Sequence, residues 1–187
     1  MLQPKTFRNR PLPEIWLMTD ARFCDDLIPA IRRLPQGSGV IFRHYHLAPA
    51  ERRKLFQRVQ RACRQRGHML ILAGGEQAAL QWRADGFHAR GAIGQSKMIR
   101  SAPVHDLAEL REAARNHADL VFISPVFPTQ SHPVDPALGR VAFARLAKLA
   151  RPMRVIALGG MKRQSAQSLR KFTHGWAAID AFRKNPR

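Results

Sequence analysis

Residues 119–133 read DLVFISPVFPTQSHP. The run from Asp119 to Ser124 is almost continuously apolar, the pattern of a strand covered on both faces. Pro125 and Pro128 then stiffen a loop that carries Thr129, Ser131 and His132. On the N-terminal side, residues 106–116 place apolar residues at helical spacing, with Asp106 as N-cap and Glu109 at capping-box distance. On the C-terminal side, residues 139–150 form a second helical pattern, followed by the strand 154–158 (RVIAL), which runs into Gly159-Gly160. Strand, single helix and strand in succession imply a right-handed parallel βαβ unit.

The same alternation extends to both ends of the chain. Strands are predicted at 14–19, 39–43, 68–73, 85–89, 98–102, 119–124, 154–158 and 175–179. Helices are predicted at 25–34, 49–66, 76–83, 106–116, 139–150 and 165–172. Pro49 suits a first helical turn and Gly67 a C-cap. RGAIGQSK (90–97) is too brief and too glycine-rich for a full fourth helix, and little chain remains for an eighth. Eight such strands close into a parallel α/β barrel, the (β/α)8 or TIM fold, which typically takes about 250 residues. At 187 residues this is a minimal version with short fourth and eighth helices. A doubly wound open sheet is the competing architecture. One domain spanning 1–187 is expected, with residues 1–13 as a loosely ordered N-terminal extension.

Apolar residues make up 45% of the chain, ordinary for a globular domain, but 32 Lys plus Arg stand against 13 Asp plus Glu, a formal net charge of +19. Such a surface favours phosphates and other polyanions. The basic residues are spread over many helices with no aromatic-interleaved basic stretch, which argues against nucleic acid as the partner. Cys24 and Cys63, the only cysteines, make no disulfide framework or zinc motif and are expected as small core residues. No apolar run reaches the roughly 18 residues that span a bilayer, and the basic N-terminus lacks the apolar core of a secretion signal. No membrane association is expected, and the cytoplasm is the default location.

In a barrel, functional residues sit at the C-terminal ends of the strands. Gly159 and Gly160 lie where barrels commonly bind phosphate, since glycines let backbone N–H groups approach an anion; a tight turn is the plain alternative. Thr129, Ser131 and His132 offer donors on a loop restrained by proline. Arg43 can clamp a phosphate or pyrophosphate with its fork. Residues 43 and 45 should share one face, and His44 and His46 the other. The histidines, His88 included, suit metal binding or proton transfer, or a purely structural part. Ser101 and Ser124 also fall at or near strand ends.

At these residues the sequence resembles the thiamine phosphate synthase and thiazole tautomerase family. The segments that carry the resemblance are LMTD (17–20), GVIFRHY (39–45), ADGFHARG (84–91), the helix and strand leading to ISPVFPTQSHP (123–133), and VIALGGM (155–161). PVFPTQS is the most specific. The resemblance implies a (β/α)8 barrel that joins hydroxymethylpyrimidine pyrophosphate to thiazole phosphate with loss of pyrophosphate, using Mg²⁺. It implies that Arg43 meets the pyrophosphate and that Thr129 and Ser131 contact the thiazole phosphate side, and with His132 on the same loop these make the expected catalytic set. It also implies a phosphate contact from Gly160, and the strand-end positions add Tyr45, His88, Ser124 and Gly159 as expected substrate or phosphate contacts.

The sequence departs from the family pattern at several of these positions. Tyr45 and His132 stand where the family has lysines. Ala73-Gly74 replaces a pair whose aspartate binds Mg²⁺, and Gly91 to Gly94 lacks the second metal carboxylate, so no metal ligand is assigned. Asp180 stands in place of a phosphate-loop serine, where it should repel phosphate. Pro125 replaces the histidine of the tautomerase branch. Arg90, Lys97 and His132 are expected to neutralise pyrophosphate in place of the metal. Three readings follow: a synthase-like transferase of thiamine biosynthesis with altered or reduced activity, a barrel that binds a phosphorylated heterocycle without chemistry, and a polyanion-binding protein. Phosphorylated small molecules are the expected partners, and a homodimer is left open.

Overall fold

The computed structural model describes residues 11–91, 95–129 and 136–183. Eight strands form a closed, all-parallel barrel in sequential order: β1 (Ile15–Met18), β2 (Gly39–Phe42), β3 (Met69–Ala73), β4 (Gly86–His88), β5 (Ile99–Val104), β6 (Leu120–Ile123), β7 (Arg154–Ala157) and β8 (Gly175–Ala178). The helices are α1 (Leu27–Arg33), α2 (Pro49–Arg66), α3 (Glu76–Trp82), α4 (Leu107–Arg115), α5 (Gly139–Leu149) and α6 (Arg163–Leu169). This is the (β/α)8 barrel expected from the alternation.

Because side chains alternate along each strand, one set fills the barrel and the other meets the helices. Trp16, Met18, Ile41, Met69, Ile71, Ile99, Leu120, Phe122, Ile156 and Ala177 make the interior cluster. The outward residues form two larger clusters, one beneath α1 to α3 and one beneath α4 to α6. Each fully buried Phe, Leu or Ile contributes about 1.5–3 kcal/mol of apolar burial. Gly39 serves this packing directly, since a Cβ there would lie 2.1 Å from Trp16 Cε3. Trp16 in turn donates from Nε1 to Pro13 O at 2.7 Å, and Leu12 packs against the interior cluster. Leu12 and Pro13 are thus tied to the barrel floor, and residues 1–10 of the expected N-terminal extension lie outside the described residues.

Several local expectations hold with physical cause. Pro49 opens α2, and Gly67 closes it in the left-handed region at φ 65°. Asp106 caps α4 by accepting from Glu109 N at 2.8 Å. The return bond of Glu109 goes to His105 N, one residue before the cap. Others need correction. No helix lies between β4 and β5 among the described residues; Glu76 instead accepts from Gln95 N and Ser96 N and pins that connection. Among the described residues, β8 is followed by a 3-10 turn, Asp180–Phe182, and by no further helix. β5 runs to Val104, so Ser101 lies inside the strand and not at its end. Cys63 is a buried residue of α2, but Cys24 is exposed, in a kinked 3-10 stretch where its φ is 42°.

Candidate functional site

The C-terminal ends of the strands open into one cavity. Arg43, Tyr45, His88, Ser124, Thr129, Gly159 and Gly160 all line it, so every expected site residue among the described ones meets there. Ser131 and His132 lie outside the described residues. Asp20, Arg22, Arg90, His105, Lys162, Arg163 and Asp180 complete the rim.

Arg43 follows β2 on the parity of Ile41, which points into the barrel. Its backbone is held from two sides. Its N–H donates to Thr19 Oγ1 at 3.0 Å, and its carbonyl accepts from Arg52 Nε at 2.8 Å. Thr19 Oγ1 also lies 3.0 Å from His44 Nδ1. All three groups are satisfied when the hydroxyl accepts from Arg43 N–H and donates to Nδ1, which puts the His44 proton on Nε2. Burial first, then the neighbouring His46, pushes the His44 pKa down to about 4. His44 is thus a neutral structural residue, stacked on Phe42 with ring centroids 5.0 Å apart. Its φ of 44° breaks the strand. Arg43 and Tyr45 share the cavity through this turn, not through continued strand alternation.

His88 ends β4 with its ring edge-on to Phe122, centroids 5.2 Å apart. Ser101 Oγ donates to Phe87 O at 3.1 Å and lies 3.0 Å from His88 Nδ1. With its proton committed to Phe87, the serine accepts from Nδ1–H, which leaves Nε2 as a lone-pair acceptor. Burial, and then the charge of Arg43, push the His88 pKa down to about 3. At neutral pH this residue is a fixed hydrogen-bond acceptor, not an acid. Ser101 was legible as polar, but its part in orienting His88 was not.

Opposite lie the loops after β6 and β7. They are zipped together by Val126 N to Leu158 O at 2.9 Å and Phe127 N to Gly159 O at 3.1 Å. A Cβ on Gly159 would lie 2.6 Å from Pro125 Cα, and one on Gly160 2.6 Å from Pro128 O, with φ values of 92° and 61°. Close packing therefore demands both glycines, as the plain turn reading held. None of the hydrogen bonds among the described residues uses the N–H of Gly159 or Gly160. With Lys162 and Arg163 beside them on the rim, these donors make an anion-accepting edge.

Asp180 does not face that edge as a free charge. Arg22 Nη1 donates to Asp180 Oδ1 at 3.1 Å and to Oδ2 at 3.2 Å, and Arg22 Nε reaches Asp20 Oδ1 at 2.8 Å. Arg183 lies 3.4 Å from Asp180 Oδ1. Burial raises the Asp20 pKa, but the bonds from Arg22 outweigh it and hold that carboxyl below its usual range. The expected repulsion of phosphate is thus neutralised locally, and Arg22, joined to Asp180 across 158 positions of sequence, had no signal by which to be found.

The expected trio of metal-replacing cations is only partly placed. Arg90 lines the rim, paired with Glu109 at 3.2 Å, whereas Lys97 is exposed and not among the lining residues. The donor set also fails to fit Mg²⁺ as the family builds its site. The end of β3 offers Ala73 and Gly74, Asp20 and Asp180 are engaged by Arg22, and no group of three or more His, Cys, Asp or Glu among the described residues is placed to hold a metal.

Comparison with known proteins places the family and the fold. The family profile described as thiamine monophosphate synthase matches residues 15–182. A thiamine-phosphate synthase of Bacillus velezensis is 30% identical over 121 residues, 57% of this chain and 53% of that protein. One from Chlorobium luteolum is 31% identical over 172 residues, 85% of this chain and 79% of its own. The chain spans about half the length, or less, of several of the curated relatives it matches. Among solved structures, thiamine phosphate pyrophosphorylase from Pyrococcus furiosus superposes with a TM-score of 0.76 at 21% identity, covering 90% of this chain and 86% of that one, which supports the fold. No helix among the described residues is long and apolar enough to cross a membrane. With the profile matched from the first strand to the last turn, the chain belongs to the thiamine monophosphate synthase family.

Proposed function

We propose that this barrel is a thiamine phosphate synthase-like transferase. In that reaction the bond from the pyrimidine methylene carbon to pyrophosphate oxygen breaks, and the thiazole nitrogen supplies the electron pair for the new C–N bond. Pyrophosphate departs with the electrons of the broken bond. Arg43 meets the leaving pyrophosphate, with Arg90, paired to Glu109, lining the rim of the same cavity. His88 Nε2, fixed as an acceptor, takes a hydrogen bond from an N–H of the pyrimidine and helps to orient it. Thr129 and the N–H groups of Gly159 and Gly160 take the thiazole phosphate, and Ser124 lines the wall between the two ends.

The observation that carries the reading is the opposition of two anion-accepting edges across one cavity: Arg43 on one side and, on the other, the N–H groups of Gly159 and Gly160, which no hydrogen bond among the described residues uses. Two phosphorylated substrates that react with each other need this arrangement. The family's carboxylates are absent from Ala73 and Gly74, which favours slow turnover, since each lost electrostatic contact costs about 10²–10³ in rate. Product formation tests the proposal. Purified protein is mixed with both substrates, with and without Mg²⁺, and thiamine phosphate is read by chromatography. Product that Arg43→Ala removes supports it. The absence of product above background leaves the second reading, a barrel that binds these phosphorylated heterocycles without joining them, which the Ala73-Gly74 replacement favours.

A further inference from the structure

Tyr45 is the only tyrosine in the chain. It lines the cavity, yet the residue is 62% exposed, an unusual state for a large aromatic beside a buried barrel end. The ring is held from behind. The Arg52 guanidinium carbon lies 5.0 Å from the Tyr45 centroid, and also 5.7 Å from Phe42 and 5.4 Å from Trp82. That guanidinium is fixed, because Nε donates to Arg43 O at 2.8 Å and Nη2 donates to Ala73 O at 2.7 Å. Arg52 therefore ties the ends of β2 and β3 together and backs the Tyr45 ring, while most of the ring surface stays open. Two residues earlier in the chain, Arg43 reaches the same cavity.

A flat aromatic face close in the chain to a cavity-lining arginine with a fixed backbone fits a planar heteroaromatic ring with an anionic tail. We propose that Tyr45 is the stacking platform for the heteroaromatic ring of the pyrophosphorylated substrate, a specificity-determining residue at a position where the family pattern has a lysine. The inference rests on the reading of this cavity as the substrate site. It assigns the ring to Tyr45 and the pyrophosphate to Arg43. Base–aromatic stacking of this kind changes affinity by about 10- to 100-fold on removal of the aromatic ring.

The single tyrosine makes the test direct. Protein grown with 3-fluorotyrosine gives one fluorine resonance, from position 45. Hydroxymethylpyrimidine pyrophosphate, added without the thiazole substrate, should shift that resonance, and inorganic pyrophosphate should shift it far less. By calorimetry, Tyr45→Ala should weaken the pyrimidine pyrophosphate by about 10- to 100-fold while inorganic pyrophosphate stays within about twofold, and Tyr45→Phe should restore wild-type affinity. Arg43→Ala should weaken both ligands. If Tyr45→Ala binds the pyrimidine pyrophosphate as wild type does, the platform is overturned and the proposed function stands. If neither ligand binds the wild-type protein, the function reading falls and the platform with it.

Discussion

Replacing Thr19 with valine removes one hydroxyl and keeps the shape of the side chain. Thr19 is fully buried, and its Oγ1 serves two partners at once, Arg43 N–H and His44 Nδ1, each at 3.0 Å. Valine leaves a backbone donor and a ring nitrogen without partners in a site that water reaches poorly. Each lost bond is worth about 0.5–1.5 kcal/mol, and each stranded polar group adds up to about 1–3 kcal/mol. The two together give a loss of about 2–4 kcal/mol. Thr19→Ser keeps the hydroxyl and loses one methyl, which costs about 1 kcal/mol. Urea unfolding monitored by tryptophan fluorescence measures both variants. The valine variant should also bind inorganic pyrophosphate more weakly, because the turn that aims Arg43 is loosened. Equal stability of Thr19→Val and wild type, or a serine variant as damaged as the valine one, would refute the bonding scheme.

Gly159→Ala forces a Cβ to 2.6 Å from Pro125 Cα at a φ of 92°, so it should cost about 2–5 kcal/mol in the same unfolding assay. Gly75→Ala, which meets nothing within 4 Å, should stay within about 1 kcal/mol, and equal effects at the two positions would show that the packing is misassigned. Acid should destabilise the fold through His44 and His88, whose folded-state pKa values near 4 and near 3 lie below the ordinary 6.5. The unfolded chain then binds more protons, so the stability present above pH 6.5 is lost as pH falls toward 4, by up to about 1.4 kcal/mol per pH unit for each histidine. Unfolding at pH 7 and pH 5 should differ by about 2–4 kcal/mol, with the difference roughly halved in His88→Gln; unchanged stability between the two pH values would contradict the buried neutral histidines.

The barrel was legible because each strand is an apolar run that must be covered on both sides. The runs from Val40 to Phe42, Met69 to Ala73 and Leu120 to Ile123 are wholly buried. The error in β5 came from Pro103, which reads as a strand terminator. Its backbone faces the β4 side, as the bond from Ala89 N to Ser101 O shows, and β4 has already ended at His88. A missing N–H therefore costs nothing there, and the strand continues along β6. The contacts of Leu12 and Pro13 leave no pattern in the sequence, since both are held through their backbone carbonyls by His174 and Trp16.

In the site, the sequence motifs located the lining residues and missed what holds them. Arg43, Thr129, Gly159 and Gly160 were found from strand ends and family-like segments. The supports run between residues far apart in sequence, Thr19 with Arg43, His88 with Ser101 and Arg22 with Asp180, and no local pattern encodes them. Asp180 shows the consequence. Its charge looked hostile to phosphate until the fold brought Arg22 and Arg183 against it.

The central claim is that one cavity holds pyrophosphate at Arg43 and a phosphorylated ring at the opposite loops. A crystal structure with thiamine phosphate and pyrophosphate, the two reaction products, tests it most directly. The account predicts the thiamine phosphate phosphoryl group within hydrogen-bonding reach of the Gly159 and Gly160 N–H groups, the pyrophosphate on Arg43, and the pyrimidine ring over Tyr45. Products bound elsewhere on the barrel, or an empty cavity at saturating product, would contradict it.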